Sequence, residues 1–552
     1  MMNYEKYKRI PAVPITDRKW PGNRIEEAPI WCSVDLRDGN QALEVPMDLE
    51  QKLRFFEMLL KLGFKTIEIG YPAASDTEYE FTRHLIENNL IPDDVVVQVL
   101  TMARQDVIDK TFEAVNGAKQ VIIHLYNSTS KLQREVVFGF DRQKCKELAV
   151  KGAKMIKERI DSDTSDTKWL LEYSPENFSE TEPDFAVEIV DAVLDIWQPT
   201  PDNKVIINLP ETVEMTTPNE FADMVEYFAT HTKYRDSIII SVHTHNDRGT
   251  GVASTELAIL AGAQRVEGTL FGNGERTGNA DIVTLAMNLF MQGIDPKLDL
   301  SSIDDVVDLY ISCTGMEIGD RQPWVGRLVY SAFSGTHQNA IQKGMDHVKH
   351  ESYWYVPYLP IDPVDVGRNY DPIIRINSQS GKGGVSYILE QYYGLMLPKS
   401  FLNDLIPVIK AESDRNNTEL TPQQIFDLFD DTYINVTTPF RLVSFSEIAH
   451  DDKHSEVAAK IVYRGEERRI KGRGTGLLDA FVNAFKEAFD ISFTINMYNE
   501  HAMKSGTDSA AITYIEIKKE HDRKIYLGAG VSSSVTKSSV RAIISAVNRM
   551  IK

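Results

Sequence analysis

The strongest constraint on the fold is a repeated alternation between residues 29 and 279. Short runs rich in β-branched and apolar residues alternate there with longer amphipathic stretches, the pattern of βα units around a parallel sheet. The runs are PIWCSVDL (29–36), KTIEIGYP (65–72), DVVVQVLT (94–101), QVIIHLY (120–126), KWLLEYS (168–174), KVIINLP (204–210), SIIISVH (237–243) and RVEGTLF (265–271). Eight units in about 250 residues match a (β/α)8 barrel, whereas an open doubly wound sheet more often has about five or six strands. The sequence therefore predicts an α/β TIM barrel.

Helix-start signals between the runs support this interpretation. Ser75 and Glu78 have the S-x-x-E spacing of a capping box, and the segment 217–220 places a threonine cap, an N1 proline and an acid at N3. In a barrel of this kind the active site lies at the carboxyl ends of the strands. The polar residues that follow each apolar run are therefore the ones to inspect for chemistry.

Beyond residue 325 the alternation ends, and a chain of 552 residues is longer than one core usually covers. Residues 345–370 are rich in aromatics and proline, residues 371–435 have a helical pattern, and later segments such as FRLVSFSEI, KIVYRGEERRI, ISFTINMY and AITYIEIKK alternate like antiparallel strands. We expect a linker subdomain followed by a C-terminal α+β domain. The predicted divisions are an N-terminal extension (1–28), the barrel (29–325), linker subdomains (326–436) and the C-terminal domain (437–552).

Bulk properties exclude several classes of protein. The sequence has no run of about 18 apolar residues, the length that spanning a bilayer requires. The N-terminus lacks the apolar centre of a secretion signal. Only three scattered cysteines are present, so neither a disulfide framework nor a cysteine-rich zinc site is expected, and a reducing cytoplasm fits best. The net charge of -21 disfavours nucleic acid as a partner.

Two histidines follow the seventh apolar run. On an extended backbone His243 and His245 point to one face, so their ring nitrogens can converge. Taken alone, an H-x-H pair is more often two strand-end histidines bonded to backbone or water. Here the pair lies where a barrel places its active site, and the next residues are Asn, Asp and Arg. Because imidazole is the commonest metal ligand at neutral pH, we predict a metal site.

Two polar loops adjoin this pair in the predicted barrel. The loop after the first strand reads DLRDGNQ (35–41), and the loop after the eighth reads GNGERTGN (272–279). Either could be a solvated or salt-bridged rim, but barrel closure brings strands one and eight together, next to strand seven. A carboxylate, two imidazoles and an amide oxygen suit Mg²⁺, Mn²⁺ or Zn²⁺ with open positions for a substrate carbonyl.

These motifs carry a family resemblance. VDLRDGNQA looks like the first-strand motif of the acyl-CoA condensing enzymes, and together with HTHND and GNGERTGN it resembles the 2-isopropylmalate synthases, in their long form with a regulatory domain. The similarity extends along the chain through YSPENF (173–178), NLPETVEMTTPN (208–219), GTHQNAI (335–341), PYLPIDP (357–363) and SAVNR (545–549). Several long motifs in the same order make the resemblance specific.

The resemblance implies condensation of acetyl-CoA with 3-methyl-2-oxobutanoate at a divalent metal, Mg²⁺ first and Mn²⁺ or Zn²⁺ as alternatives. It implies that the metal ligands are Asp38, His243, His245 and Asn279. Arg37 would contact the ketone oxygen and stabilise the developing alkoxide. The residues that match family positions lining the keto-acid pocket are His124, Glu176 and Thr212.

The base that takes a proton from the acetyl methyl group has two candidates. By resemblance His337 and Tyr358 reach the active site of the partner subunit in a homodimer, while Glu176 lies within the pocket. We favour His337 with Tyr358 assisting, and the sequence leaves the assignment open. Without the resemblance, His337 would be a surface helix residue and Tyr358 a packed linker aromatic.

Three segments that contain glycine are candidates for ligand sites. SQSGKGG (378–384) lacks the spacing of a phosphate loop, and GRGTG (472–476) lacks the dinucleotide pattern, so we expect a turn and a part of the C-terminal domain, respectively. HAMKSGTDSA (501–510) could close over an amino acid, and the resemblance implies leucine as a feedback inhibitor. The alternative is a C-terminal domain that serves only for dimerisation. A leucine pocket at a symmetric dimer interface would be consistent with both interpretations.

Three other functions compete with the one implied. A synthase for citramalate or another 2-keto acid would differ mainly around the keto-acid side chain, where one methylene is worth only about 1 to 3 kcal/mol. A metal-dependent hydrolase could use the same barrel. A non-catalytic amino-acid sensor is disfavoured because the full set of Arg37, Asp38, His243, His245 and Asn279 is present.

Overall fold

The computed structural model describes residues 12–368, 382–416, 419–451, 454–504, 509–519 and 524–551. They form two compact units. The first runs to Val329 and includes Pro363–Arg368, and the second contains Tyr330–Asp362 and the described residues from 382 onward.

The first unit is a closed barrel of eight parallel strands in sequential order, with the first strand paired to the eighth. The strands are β1 (Ile30–Ser33), β2 (Thr66–Gly70), β3 (Val96–Met102), β4 (Gln120–Ser128), β5 (Lys168–Glu176), β6 (Val205–Glu211), β7 (Ile238–Thr244) and β8 (Arg265–Gly268). Each of the eight predicted runs overlaps one of these strands, and β3 to β7 extend one or two residues beyond the end of their runs. The predicted TIM barrel is confirmed.

Helices alternate with the strands. They are α1 (Leu49–Leu62), α2 (Asp76–Glu87), α3 (Gln105–Val115), α4 (Arg142–Asp161), α5 (Pro183–Trp197), α6 (Pro218–His231), α7 (Gly251–Leu260), α8 (Ile282–Phe290) and α9 (Ile303–Thr314). Thr217 and Glu220 close the predicted capping box at α6. At α2 only half of the predicted box forms: Ser75 accepts from the Glu78 backbone, but the Glu78 carboxylate pairs with the buried Lys52.

The barrel interior is polar at its centre. Glu68, Gln98, Glu172 and Glu267 are fully buried, although they belong to strands whose apolar residues are also buried. Gln98 on β3 donates to Glu267 on β8 at 3.0 Å. Because these strands are not neighbours, the two side chains can meet only inside the barrel. The strands therefore alternate between an apolar and a polar set of side chains.

The second unit contains helices and antiparallel strands, and its C-terminal part is α+β as predicted. Its helices are α10 (Gly335–Val348), α11 (Lys382–Tyr393), α12 (Lys399–Asn416), α13 (Pro422–Tyr433), α14 (Leu477–Phe489) and α15 (Val535–Ile551), and its strands are β9 (Phe440–Asp451), β10 (His454–Tyr463), β11 (Glu466–Gly474), β12 (Phe493–Ala502), β13 (Ala511–Lys519) and β14 (Ile525–Ser532). The strands form two antiparallel sheets of three, β11-β10-β9 and β12-β13-β14.

The segment KIVYRGEERRI was predicted as one alternating stretch, but it spans two strands. Arg464 and Gly465 have φ of 50° and 90° and make a two-residue hairpin turn between β10 and β11. β14 was not predicted, because the glycines in LGAG interrupt its alternation. Gly528 and Gly530 allow α15 to approach closely: a Cβ at Gly530 would lie 2.0 Å from the Ser538 carbonyl oxygen.

Among the described residues, no helix combines the length and the apolar composition that crossing a bilayer requires.

Candidate active site

A cavity of about 310 Å³ opens where the barrel strands end. It is lined by Arg37, Asp38, Gln41, Leu100, His124, Tyr126, Ser174, Glu176, Asn208, Pro210, Thr212, His243, His245, Glu275 and Arg276. Seven of the ten predicted site residues are in this lining. The eighth, Asn279, is buried beside it, with Oδ1 2.8 Å from Nε2 of His243. The structure thus brings together all the site residues predicted within the barrel.

Four predicted metal ligands form one buried cluster. Oδ2 of Asp38 lies 3.6 Å from Nε2 of His243 and 3.9 Å from Nε2 of His245. The Asn279 amide donates to Asp38 at 2.8 Å. Ligand atoms of Asp38 and the two histidines all lie within 4.8 Å of one another, a group that can hold a metal ion. A carboxylate, two imidazoles and an adjacent amide oxygen fit a divalent cation.

Local backbone structure explains the convergence. His243 is the penultimate residue of β7, and His245 continues the same extended path, with its backbone N–H donating to the Glu211 carbonyl. Asn279 is bridged to His245 through the backbone. The loop that carries Asn279 is tight: a Cβ at Gly278, where φ is +96°, would lie 1.8 Å from the Gly272 carbonyl oxygen. Glycine is therefore required at 278.

Asp38 is presented by a wide helical turn over Asp35–Gly39. The backbone N–H groups of Arg37, Asp38 and Gly39 all converge on the Val34 carbonyl, at 2.8 to 3.2 Å. Asp35 anchors the same turn to the loop after β8, because its carboxylate accepts from the Leu270 backbone at 3.0 Å. The first and eighth βα loops are therefore joined, as barrel closure predicts.

The pKa values of the predicted metal ligands are shifted in different directions. Burial opposes ionisation of Asp38, but Arg37 and the two histidines hold its pKa well below the usual range. Burial also lowers the pKa of His243, yet Asp38 and Glu267 outweigh that effect and raise it to about 9. Burial and His243 lower the pKa of His245 to about 4. His243 therefore attracts a proton, and a bound cation would have to replace that proton.

Arg37 lies between two carboxylates. Its Nε is 2.5 Å from Glu68 and its NH1 is 2.6 Å from Asp38. Burial opposes the charge, but Glu68 and Asp38 raise the pKa of the guanidinium above its already high value. Arg37 therefore remains a fixed cation beside the metal-ligand cluster.

The three residues predicted to line the keto-acid pocket lie on, or directly after, the neighbouring strands β4, β5 and β6. His124 on β4 has Nδ1 2.8 Å from Glu68 and Nε2 2.7 Å from Ser174 Oγ. Glu176, at the end of β5, accepts from Ser128. Thr212 directly follows β6, and its hydroxyl accepts from the Asn177 backbone at 2.9 Å.

His337 and Tyr358 belong to the second unit. Their rings stack on each other, with centroids 4.0 Å apart and planes at 28°. His337 is exposed on α10, and the Tyr358 side chain is 59% exposed at a backbone φ of 64°. The structure therefore pairs these two residues, and their role in the reaction remains a prediction.

Sequence reasoning missed the polar side chains beneath the cavity. Glu68, Gln98, Glu172, Arg265 and Glu267 lie inside runs that were interpreted only as apolar strands. The available signal was a charged or amide residue within a short buried run, where an unpaired charge is costly. His124, Glu172 and Glu267 form a second group with ligand-like spacing. Arg265 lies 2.9 Å from Glu267 and 3.4 Å from Glu172, so a guanidinium already supplies positive charge there.

Two of the three glycine-containing segments fall partly outside the described residues. Residues 378–381 and 505–508 lie outside the described residues, which leaves the expected turn and the predicted leucine turn without a structural account. Gly472 and Gly474 belong to β11, and Gly476 caps α14. GRGTG is thus part of the strand-to-helix packing of the C-terminal domain.

Comparison with protein families divides the chain into three matched regions. An HMGL-like model matches residues 28–309, the alpha-isopropylmalate synthase post-catalytic domain-like model matches 327–390, and the LeuA allosteric (dimerisation) domain matches 419–551. The first match covers the barrel and its candidate site.

Curated relatives match over nearly their whole length. A 2-isopropylmalate synthase of Acetoanaerobium sticklandii is 55% identical over 100% of this chain and 97% of its own, and one of Clostridium acetobutylicum is 50% identical over 99% of both. One of Pseudomonas syringae pv. tomato is 49% identical over 99% of this chain and 97% of its own. Among solved structures, an HMG-CoA lyase has 17% identity and a TM-score of 0.42 over 53% of this chain and 94% of its own, a likeness too low to bear on the assignment. On the evidence of the full-length relatives, the chain belongs to the 2-isopropylmalate synthase family of acyltransferases.

Proposed function

We propose that this chain condenses acetyl-CoA with 3-methyl-2-oxobutanoate and hydrolyses the thioester, giving 2-isopropylmalate and CoA. The observation that carries the proposal is the position of Arg37, a largely buried cation 2.6 Å from Asp38 and at the edge of the metal-ligand cluster. A ketone oxygen placed against the Arg37 guanidinium would meet a fixed positive charge. Such fixed charge stabilises an alkoxide as it develops.

Asp38, His243, His245 and Asn279 would hold the divalent cation, for which Mg²⁺ is the first candidate and Mn²⁺ or Zn²⁺ are alternatives. When bound, the cation supplies Lewis-acid polarisation of the ketone. Arg37 orients the same oxygen, and His124, Glu176 and Thr212 line the space for the keto acid. These assignments are supported by the shared cavity and by the family to which the chain belongs.

The condensation needs one base and one acid. A base takes a proton from the acetyl methyl group, the resulting carbon forms a bond to the ketone carbon, and the alkoxide takes a proton from an acid. Water then adds to the thioester carbonyl, and the CoA thiol leaves. We propose His337 of the partner subunit as this acid and base, with the partner's Tyr358 assisting. Glu176, inside the cavity, is the alternative base.

We also propose a homodimer with leucine as its feedback inhibitor. The match of residues 419–551 to an allosteric dimerisation domain supports both. On this proposal the functional divisions fall at 28/29, 325/326 and 436/437, and the enzyme works in the cytoplasm.

One assay tests metal, substrate and regulation together. Free CoA thiol is measured with acetyl-CoA and a panel of keto acids, with and without chelator and with and without leucine. We expect thiol release only when both substrates are present, loss with chelator, restoration by Mg²⁺ or Mn²⁺, and inhibition by leucine. A higher kcat/KM for pyruvate than for 3-methyl-2-oxobutanoate would overturn the substrate assignment, and thiol release without keto acid would indicate a hydrolase.

A further inference from the structure

A buried set of polar side chains lies directly beneath the metal-ligand cluster. We call it the floor cluster and define it as Gln98 on β3, Asn208 on β6, and Arg265 and Glu267 on β8. All four side chains are at most 2% exposed. Their burial would be costly without partners, so their hydrogen bonds show what holds them.

Glu267 is the centre of the floor cluster. Its Oε1 accepts from Arg265 at 2.9 Å and from Gln98 at 3.0 Å. Its Oε2 accepts from Asn208 at 3.1 Å and lies 2.9 Å from Nδ1 of His243. Each oxygen therefore has two nitrogen partners, and three of the four are groups that can only donate. The fourth position is filled best by an N–H on Nδ1 of His243.

This arrangement decides which nitrogen of His243 is free. A neutral imidazole carries one proton, so a proton held on Nδ1 leaves the lone pair on Nε2. Nε2 is the nitrogen that lies 2.8 Å from Asn279 Oδ1 and 3.6 Å from Asp38 Oδ2. The carboxylate thus turns the ring so that its free nitrogen faces the other predicted ligands.

Arg265 and Gln98 fix Glu267 in turn. Arg265 donates to Gln98 Oε1 at 2.7 Å and to Ser241 Oγ at 2.9 Å. Because the Gln98 oxygen is taken, its NH₂ group must face the carboxylates, and it donates to Glu267 and, at 3.1 Å, to Glu68. One amide therefore bridges the carboxylate that orients His243 and the carboxylate that orients Arg37.

We propose that Glu267 is a positioning residue that sets the tautomer and orientation of His243 for cation binding, and that Gln98 and Arg265 hold it in place. The inference rests on the metal site proposed above. It extends that site to three residues that do not face the cavity. Removing the charge of Glu267 should weaken cation binding even though no predicted ligand changes.

The test is the affinity of the full-length protein for Mn²⁺, measured by competition with a chelator in the absence of substrates. Glu267→Gln keeps the size of the side chain but loses its charge, and we expect affinity to fall about 10- to 100-fold. Glu226→Gln is the matched control. Glu226 is also a buried carboxylate, but it accepts from the backbone of Lys19 and Trp20 and makes no contact with the cluster. The Mn²⁺ affinity of the Glu226→Gln variant should match that of the parent protein within about twofold.

A double variant separates positioning from general loss of structure. If Glu267 acts through His243, then Glu267→Gln should cost little further affinity in a His243→Ala background. Equal losses in both backgrounds, or parent-like affinity of folded Glu267→Gln, would overturn the inference. Should Glu267→Gln fail to fold, Glu267→Asp keeps the charge but withdraws it from His243, and parent-like affinity there would overturn the inference equally. A parent that binds no cation would instead overturn the proposed metal site.

Discussion

Nε of Arg37 lies 2.5 Å from Oε2 of Glu68, and this contact fixes the plane of the guanidinium at the cavity wall. NH1 of the same guanidinium donates to Asp38 at 2.6 Å. A planar cation with separated N–H groups can satisfy both carboxylates and still face a substrate oxygen. Lysine carries the same charge but has only one nitrogen.

Arg37→Lys should therefore lower kcat about 100- to 1000-fold, the usual cost of losing an oriented donor to a developing oxyanion. Steady-state kinetics with 3-methyl-2-oxobutanoate, with unchanged circular dichroism as the control for folding, measures this. A loss smaller than tenfold would mean that charge alone suffices and that the fork geometry is not used.

The stacked pair His337 and Tyr358 gives a test of the base. His337→Ala should lower kcat about 100- to 10000-fold, because proton transfer from the acetyl methyl group would lose its catalyst. Tyr358→Phe keeps the stacked ring and should lower kcat less. With trideuterated acetyl-CoA, the isotope effect on kcat should rise in the histidine variant.

Glu176→Gln is the matched comparison for this experiment. If Glu176 only lines the cavity, its change should raise KM for the keto acid more than it lowers kcat. An isotope effect that rises in Glu176→Gln and not in His337→Ala would assign the base to Glu176.

Gly530 tests the close packing of the C-terminal domain. An alanine Cβ there would lie 2.0 Å from the Ser538 carbonyl oxygen and 2.5 Å from the Ala542 nitrogen, so α15 must move away from β14. We expect Gly530→Ala to destabilise this domain by about 1 to 3 kcal/mol and to weaken leucine inhibition. Differential scanning calorimetry and inhibition curves measure the two effects. Gly476→Ala is the control, because a Cβ there meets nothing within 4 Å; equal behaviour of both variants would contradict the packing argument.

Asp35 gives a prediction for pH. Burial raises its pKa to about 7, despite hydrogen bonds from Ser33 and Leu270. The folded state therefore holds a proton that the unfolded chain, with an ordinary pKa near 3.8, releases earlier. The contribution of Asp35 to stability is complete at low pH and is lost as pH rises through about 7.

Asp35→Asn removes this titration. The melting temperature of the variant minus that of the parent should increase between pH 5 and pH 7 and level off above about pH 8. Melting curves of both proteins in the same buffers test this, since other titrating groups cancel in the difference. A difference independent of pH would show that Asp35 is ionised in the folded protein throughout this range.

Much of the barrel was predictable because its signals are local. Each strand is a short apolar run, so all eight were found, and the site loops follow directly from strand ends. β14 was missed because Gly528 and Gly530, which its packing against α15 requires, remove the alternation. The full capping box predicted at Ser75 forms only in part, because the Glu78 carboxylate pairs with Lys52, which lies 26 residues away along the chain.

The sequence by itself determined the (β/α)8 barrel and the meeting of the loops after strands one, seven and eight, because strand periodicity and strand ends are local and barrel closure then places the loops. The choice of Asp38 and Asn279 within those loops came from the family resemblance. Only the tertiary structure decided that Gln98, Arg265 and Glu267 lie beneath His243. These residues are up to 169 positions apart along the chain. Their side chains meet through the stagger of strands around the closed barrel, and no spacing along the sequence encodes that stagger.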